Sequence, residues 1–158
     1  MTTEEADLFN LYFQKNTAYY QDKLAKYKQG KKYTFNVFAF LFGLFWFIYR
    51  KMYLEAFAFI IFVVATSFLE EIIAIATNEN SNLFVSVITT FSIAIITGFF
   101  GNNLYLQKAI KTITYAKTGL PDEAQIKKYI KQKGGVSYLF LIVLALAIIF
   151  FFIYNNEF

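Results

Sequence analysis

Cysteine and histidine are both absent from the 158 residues, and proline occurs once. Without cysteine there is no disulfide framework, no thiolate nucleophile and no thiolate metal site, so the redox compartment leaves no mark on the chain. Without histidine the commonest metal ligand and the usual general base are missing too. Catalysis would have to rest on carboxylates, and no paired-acid geometry stands out, so a non-enzymatic protein with no cofactor and no metal is expected. The first residues carry acids and no apolar core segment, and a cleaved signal peptide is therefore not expected.

What is abundant is apolar and aromatic surface. Hydrophobic residues make up 58% of the chain and aromatics 22%, with a mean hydropathy of +0.44, which is too greasy for a soluble core of this length. The fold class this implies is an all-α integral membrane protein. Segments 54–77, 83–103 and 137–154 each approach or exceed the ~18 apolar residues of a spanning helix. The stretch 35–51, FNVFAFLFGLFWFIYRK, falls short of a ~30 Å hydrocarbon core at ~1.5 Å per residue and reads as an interfacial or re-entrant helix in one leaflet. The expected organisation is a cytoplasmic amphipathic helix over 1–33 and a membrane domain over 34–158, with a cytoplasmic loop over 104–136.

Neither the loop 78–82 nor the tail 155–158 carries a cation. Lys15, Lys23, Lys26, Lys28, Lys31, Lys32, Arg50 and Lys51 precede the first long apolar run, and Lys108, Lys111, Lys117, Lys127, Lys128, Lys131 and Lys133 lie between the second and third, which accounts for all fifteen. Three crossings put every cation on one side, with the N-terminus cytoplasmic and the C-terminus external by the positive-inside rule. Were 35–49 also to cross, Arg50, Lys51 and the seven-lysine loop would face away from the N-terminus, and that four-span arrangement is the structural alternative. The net charge of +4 is thus a membrane signature, and nucleic acid is not expected as a partner.

Thr2-Thr3-Glu4-Glu5 has the form of a capping box and predicts a helix from about Thr3 to Gln29, stopping at Gly30. Phe9, Phe13, Tyr20, Leu24 and Tyr27 form one stripe on it, to lie on an anionic leaflet or a partner, or to pack on the protein's own loops. Within 35–51, Asn36 suits a helix start, and Gly43 permits close approach of another backbone. Trp46, Tyr49, Arg50, Lys51 and Tyr53 suit an interface, with aromatic anchors and cations able to reach lipid headgroups.

Asn36, Ala39, Phe40, Phe42-Gly43, Phe45-Trp46 and Tyr49-Arg50-Lys51-Met52-Tyr53 resemble the signature of an uncharacterised family of small bacterial inner-membrane proteins. The pattern resumes at Gly98, Gly101-Asn102 and Tyr105 and again at Gly134-Gly135-Val136-Ser137; members often carry proline where this chain has Leu44. The resemblance implies a helical protein of the cell inner membrane, with three or four membrane helices, and implies no activity.

Glu70 and Glu71 lie within about two turns of the outer end of the first span, where an ionised carboxylate is costly and no cation compensates it. They are the candidates for an ion or proton site; solvation by the outer headgroups is the plainer reading. Adjacent helical residues diverge by about 100°, so the pair cannot share a proton within one chain, and Thr66 and Ser67 are placed to hydrogen-bond them when protonated. The second span is rich in Ser and Thr, and Gly98, Gly101 and Asn102 suit helix packing. No proline interrupts it to about Lys117. Pro121 suits the first position of a following helix, whose Lys127, Lys128, Lys131 and Lys133 make a basic cytoplasmic face for lipid headgroups. The role these features favour is an oligomeric scaffold or accessory subunit, with membrane lipids and either copies of itself or a larger membrane complex as partners. The rival is an ion- or proton-conducting or pore-forming effector using Glu70 and Glu71.

Overall fold

The computed structural model describes residues 2–77 and 83–156, and the polar turn expected over 78–82 lies outside the described residues. Every regular element among them is a helix: α1 (Thr3–Phe13), α2 (Thr17–Lys28), α3 (Val37–Phe42), α4 (Leu44–Tyr49), α5 (Tyr53–Thr77), α6 (Leu83–Gly119), α7 (Glu123–Lys133) and α8 (Leu139–Asn156).

The helix expected from Thr3 to Gln29 is two helices. Its start is as read, with the Thr2 hydroxyl accepting from the Glu5 amide at 3.3 Å, but Gln14 and Asn16 take positive φ of 53° and 59° and turn the chain back on itself. The break has tertiary causes. The Tyr12 carbonyl accepts from the Gly135 amide at 2.7 Å, and those of Phe13 and Lys15 face the Arg50 guanidinium, so the last carbonyls of α1 find partners outside the helix. Gln21 Nε2, donating to the Ala6 carbonyl at 3.1 Å, and a 2.6 Å ion pair between Lys28 and Glu5 tie α2 back to α1. A hydrogen bond from the Lys28 ammonium holds the Glu5 carboxyl below its ordinary range. The stripe Phe9, Phe13, Tyr20 and Leu24 is buried against α6, so it packs on the protein's own helices.

Stretch 35–49 is likewise broken, at Gly43, whose φ of 41° and ψ of −108° suit a residue without a Cβ. Neither six-residue piece, about 9 Å long, can cross a bilayer. Asn36 caps α3 by accepting from the Ala39 amide at 3.0 Å, and its own amide donates to the Gly98 carbonyl of α6 at 2.8 Å. A Cβ on Gly98 would stand 2.6 Å from the Phe35 ring, and one on Gly101 2.7 Å from Ala39. The two glycines therefore let α3 lie directly on α6, as small residues do in packed membrane helices.

Two helices, Tyr53–Ala76 and Leu83–Gly119, are long and apolar enough to cross a membrane, and none of the most apolar stretch of the first is buried within the chain. With 37 residues, α6 is about 55 Å long and outreaches a bilayer core. Its C-terminal part carries a buried stripe through Gly98, Gly101, Asn102, Tyr105, Ala109, Ile113 and Ala116, on which α1, α2, α3 and α7 pack. α8 carries a shorter apolar run, Leu141–Asn155, and its start is fixed by the Ser137 amide donating to the Tyr49 carbonyl at 2.8 Å. α7 begins at its cap, Asp122, which accepts from the Gln125 amide at 2.7 Å. Pro121 therefore precedes the cap and does not occupy the first helical position.

Candidate functional site

Arg50 lies at the C-terminal cap of α4. Lys51, at φ 56°, and a hydrogen bond from the Met52 amide to the Phe47 carbonyl at 2.8 Å close the helix in the left-handed manner usually left to glycine. That turn sends the Arg50 side chain inward, toward the junction of α1, α2 and α6. Only 2% of Arg50 is exposed. The guanidinium carbon sits 4.5 Å from the ring centre of Tyr20, 5.2 Å from that of Tyr105 and 5.4 Å from that of Tyr49.

The Arg50 hydrogen bonds are long. Nη1 donates to the carbonyls of Phe13 and Lys15, and Nη2 to that of Lys15, each at 3.4 Å, beyond the usual 2.7–3.2 Å. Nε has no hydrogen-bond partner among the described residues. Ion pairs among the described residues use Asp22, Glu5, Glu55 and Glu123, and Arg50 takes part in none. Its charge is offset by the carbonyl end of α1 and by ring faces, interactions worth about 1–2 kcal/mol each at best. Taking an ion out of water costs several kcal/mol.

Beside this guanidinium lies a cavity of about 330 Å³, lined by Tyr20, Phe38, Phe42, Phe45, Trp46 and Arg50, with Asn16 and Tyr49. Phe38 and Phe42, 61% and 52% exposed, stack at 6.4 Å on the outer side of α3. The walls are thus aromatic, with a cation among them. Burial pushes the Tyr20 phenol up, against the opposing pull of Arg50. Burial raises Tyr12 as well; its hydroxyl has no hydrogen-bond partner among the described residues, although Thr112 is near.

A second buried polar cluster locks the surroundings. Asn102 accepts from Asn36 at 2.9 Å and donates to the Tyr19 hydroxyl at 2.9 Å and to the Thr34 carbonyl and hydroxyl at 3.1 Å. Lys51 donates to the Gln132 carbonyl at 3.1 Å, near the end of α7. Lys108 donates to the Lys51 carbonyl and to Glu55, both at 3.1 Å. Three cations thus meet carbonyls at or near helix C-termini, where the dipole favours positive charge.

The sequence-selected residues separate into those that converge here and those that do not. Trp46, Tyr49 and Arg50 line one cavity, Lys51 braces α7, and Tyr53 is exposed at the start of α5. Gly43 stands 3.3 Å, at its would-be Cβ, from the Phe59 ring. Lys127 pairs with Glu123 at 2.6 Å, Lys133 sits over Tyr129 at 5.7 Å, and Lys128 and Lys131 are exposed. Glu70 and Glu71 are remote from Arg50. The Ser86 hydroxyl donates to Glu70 at 3.0 Å, joining α6 to α5, and Glu71 faces outward. Thr66 and Ser67 both bond the Val63 carbonyl and not the two acids, because a hydroxyl inside a helix finds the preceding turn's carbonyl within reach. Tyr20 and Tyr105 join Arg50 without having been singled out as site residues. The signal was there: Tyr105 continues the three- and four-residue spacing of Gly98, Gly101 and Asn102.

Residues 6–111, about two thirds of the chain, match the family described as "Protein of unknown function (DUF2628)". The chain belongs to this family. The DUF2628 match takes in most of α1, all of α2 to α5 and most of α6, and with them every residue lining the Arg50 cavity. It begins well before Phe35 and ends before Gly134, so it is displaced toward the N-terminus from the resemblance read over 35–137. No curated protein and no solved structure matches the chain.

Proposed function

We propose that this member of the DUF2628 family is a non-enzymatic, multi-pass protein of the bacterial inner membrane, an oligomeric scaffold or accessory subunit. In this reading α5, α6 and α8 cross the bilayer, α3 and α4 form a wedge in the inner leaflet, and α1, α2, α7 and the inner end of α6 make a cytoplasmic head. The observation that carries it is a contrast of burial. Most apolar side chains of the head are buried, whereas most of those described on α5, α8 and the first half of α6 are exposed, far beyond the few hundred Å² of apolar patch a soluble monomer tolerates. Lys127, Lys128, Lys131 and Lys133 give the head a basic face toward lipid or a partner. A second reading, ion or proton conduction, draws on the Ser86–Glu70 hydrogen bond, which brings a carboxylate to the α5–α6 seam; a conduit would need several copies.

Alkaline carbonate washing of membranes, then sizing in detergent and dye-leakage assays in liposomes, tests the proposal. The protein is expected to stay in the pellet, to run as an oligomer and to leave liposomes sealed. Release into the carbonate supernatant would refute the membrane reading, and leakage that Glu70→Gln abolishes would favour conduction.

A further inference from the structure

We infer that the cavity beside Arg50 binds the head of an anionic acyl lipid, with a phosphate oxygen on the guanidinium and the first part of the chain along Phe42 and Phe38. The inference deepens the membrane reading, on which it rests, by naming what the wedge recognises.

Three observations converge on it. The first is a buried cation without an acid among the described residues: Arg50 makes only 3.4 Å hydrogen bonds to carbonyls there, and its Nε makes none. An anion accepting from Nε would satisfy the orphaned donor and offset the charge together, since guanidinium to phosphate is among the strongest hydrogen-bonded pairings a side chain makes. The second is shape. About 330 Å³ lies at the lower end of small-ligand pockets, enough for a headgroup and too little for a whole lipid, so the chains must remain outside. The third is where they would go. Phe38 and Phe42 are exposed and stacked beside the cavity, an apolar path from the guanidinium to the outer surface of α3. Asn16, at the cavity edge, uses no side-chain hydrogen bond to cap α2, leaving an amide for a headgroup hydroxyl. A free phosphate would use Arg50 and gain nothing from the two phenylalanines; a zwitterionic lipid would bring its own cation against Arg50.

Trp46 is the chain's one tryptophan and lines the cavity, so its fluorescence reports occupancy directly. The full chain in neutral detergent micelles is titrated with phosphatidylglycerol brominated near the head of its acyl chains, and separately with brominated phosphatidylcholine. Phosphatidylglycerol is expected to quench saturably, with an apparent affinity at least about tenfold tighter than phosphatidylcholine. Arg50→Lys, which keeps the charge but loses the planar fork, and Phe42→Ala, on the exposed side of α3, are each expected to weaken it about tenfold. Phe42→Ala keeps the test decisive if Arg50→Lys does not fold. Inorganic phosphate at millimolar concentration is expected to leave the quenching in place; relief of quenching by phosphate alone would show a plain anion site and overturn the lipid assignment. Equal, non-saturating quenching by both lipids would overturn it as well. Because the assay is done in micelles, its failure is separate from failure of the carbonate test, which reads membrane insertion whatever this cavity binds.

Discussion

Of the glycines, Gly134 has the least room. A Cβ there would collide with the backbone of Tyr12, at its carbonyl oxygen, and backbone cannot rotate aside as a side chain can. The same carbonyl accepts from the Gly135 amide, so the α7–α8 link is pressed flat against the end of α1. Gly134→Ala is therefore expected to destabilise the protein by about 1–3 kcal/mol, as overpacking of a filled site does, read as a lower melting temperature in detergent. Gly119→Ala is the control. Its Cβ would meet only the Tyr115 ring at 3.8 Å, ordinary contact, and its melting point is expected to stay within a degree or two of the parent. Equal loss in both variants would contradict the close approach. At this scale the sequence told part of the story. Thr2, Asn36 and Asp122 act as helix caps because a cap needs only its own short side chain and the next three residues. The interior direction of Arg50 was not legible. An arginine after a run of aromatics reads as one reaching for headgroups, and only the α1–α2 turn, whose Lys15 stands 35 residues away, gives its guanidinium an inward destination.

Aromatic rings of α1 and α2 meet Tyr105 of α6. Tyr20 and Tyr105 lie 4.8 Å apart, Tyr12 and Tyr105 5.7 Å, and Phe13 and Tyr105 5.9 Å. Such pairs are worth about 0.5–1.5 kcal/mol beyond their buried area. They also make the packing sensitive to alkali. Burial holds the Tyr12 and Tyr20 phenols above their ordinary value, while in the unfolded chain they ionise near pH 10. Above that pH the unfolded state loses protons that the folded state keeps, so their contribution is complete below about pH 10 and falls as pH rises through the folded values. Denaturant titrations at pH 8 and above pH 10 are expected to show the head unfolding more readily at the higher pH, with the last tyrosinate absorbance, that of the buried rings, appearing together with loss of helical signal. Tyrosinate forming fully before any unfolding would contradict the burial of these rings. The break between α1 and α2 was hidden for the same reason that these contacts hold. No glycine or proline marks residues 14–16, and the chain turns there because Arg50 and Gly135 take the carbonyls of α1. Gly43 and Gly30, by contrast, take positive φ at helix ends; the stop at Gly30 was legible in the sequence, whereas Gly43 read only as a site of close approach.

Taken whole, the molecule is a folded head on long apolar helices, and the two parts meet where Arg50, Asn102 and Lys108 satisfy backbone and side-chain acceptors. Long helices were legible because an apolar run needs no partner to be recognised: α5 and α6 begin within a residue of segments 54–77 and 83–103. The docking of α3 on α6 was visible only as scattered small residues, since their purpose depends on Phe35 and Ala39 arriving from sixty residues earlier. The membrane account stands or falls on an odd number of crossings, with the head inside. A chain without cysteine allows the clean version of that test, single substitutions Thr3→Cys and Asn155→Cys, both at exposed positions, probed with a membrane-impermeant maleimide. In intact cells the label is expected on Asn155→Cys and, only after permeabilisation, on Thr3→Cys; labelling of both, or of neither, before permeabilisation would contradict the account.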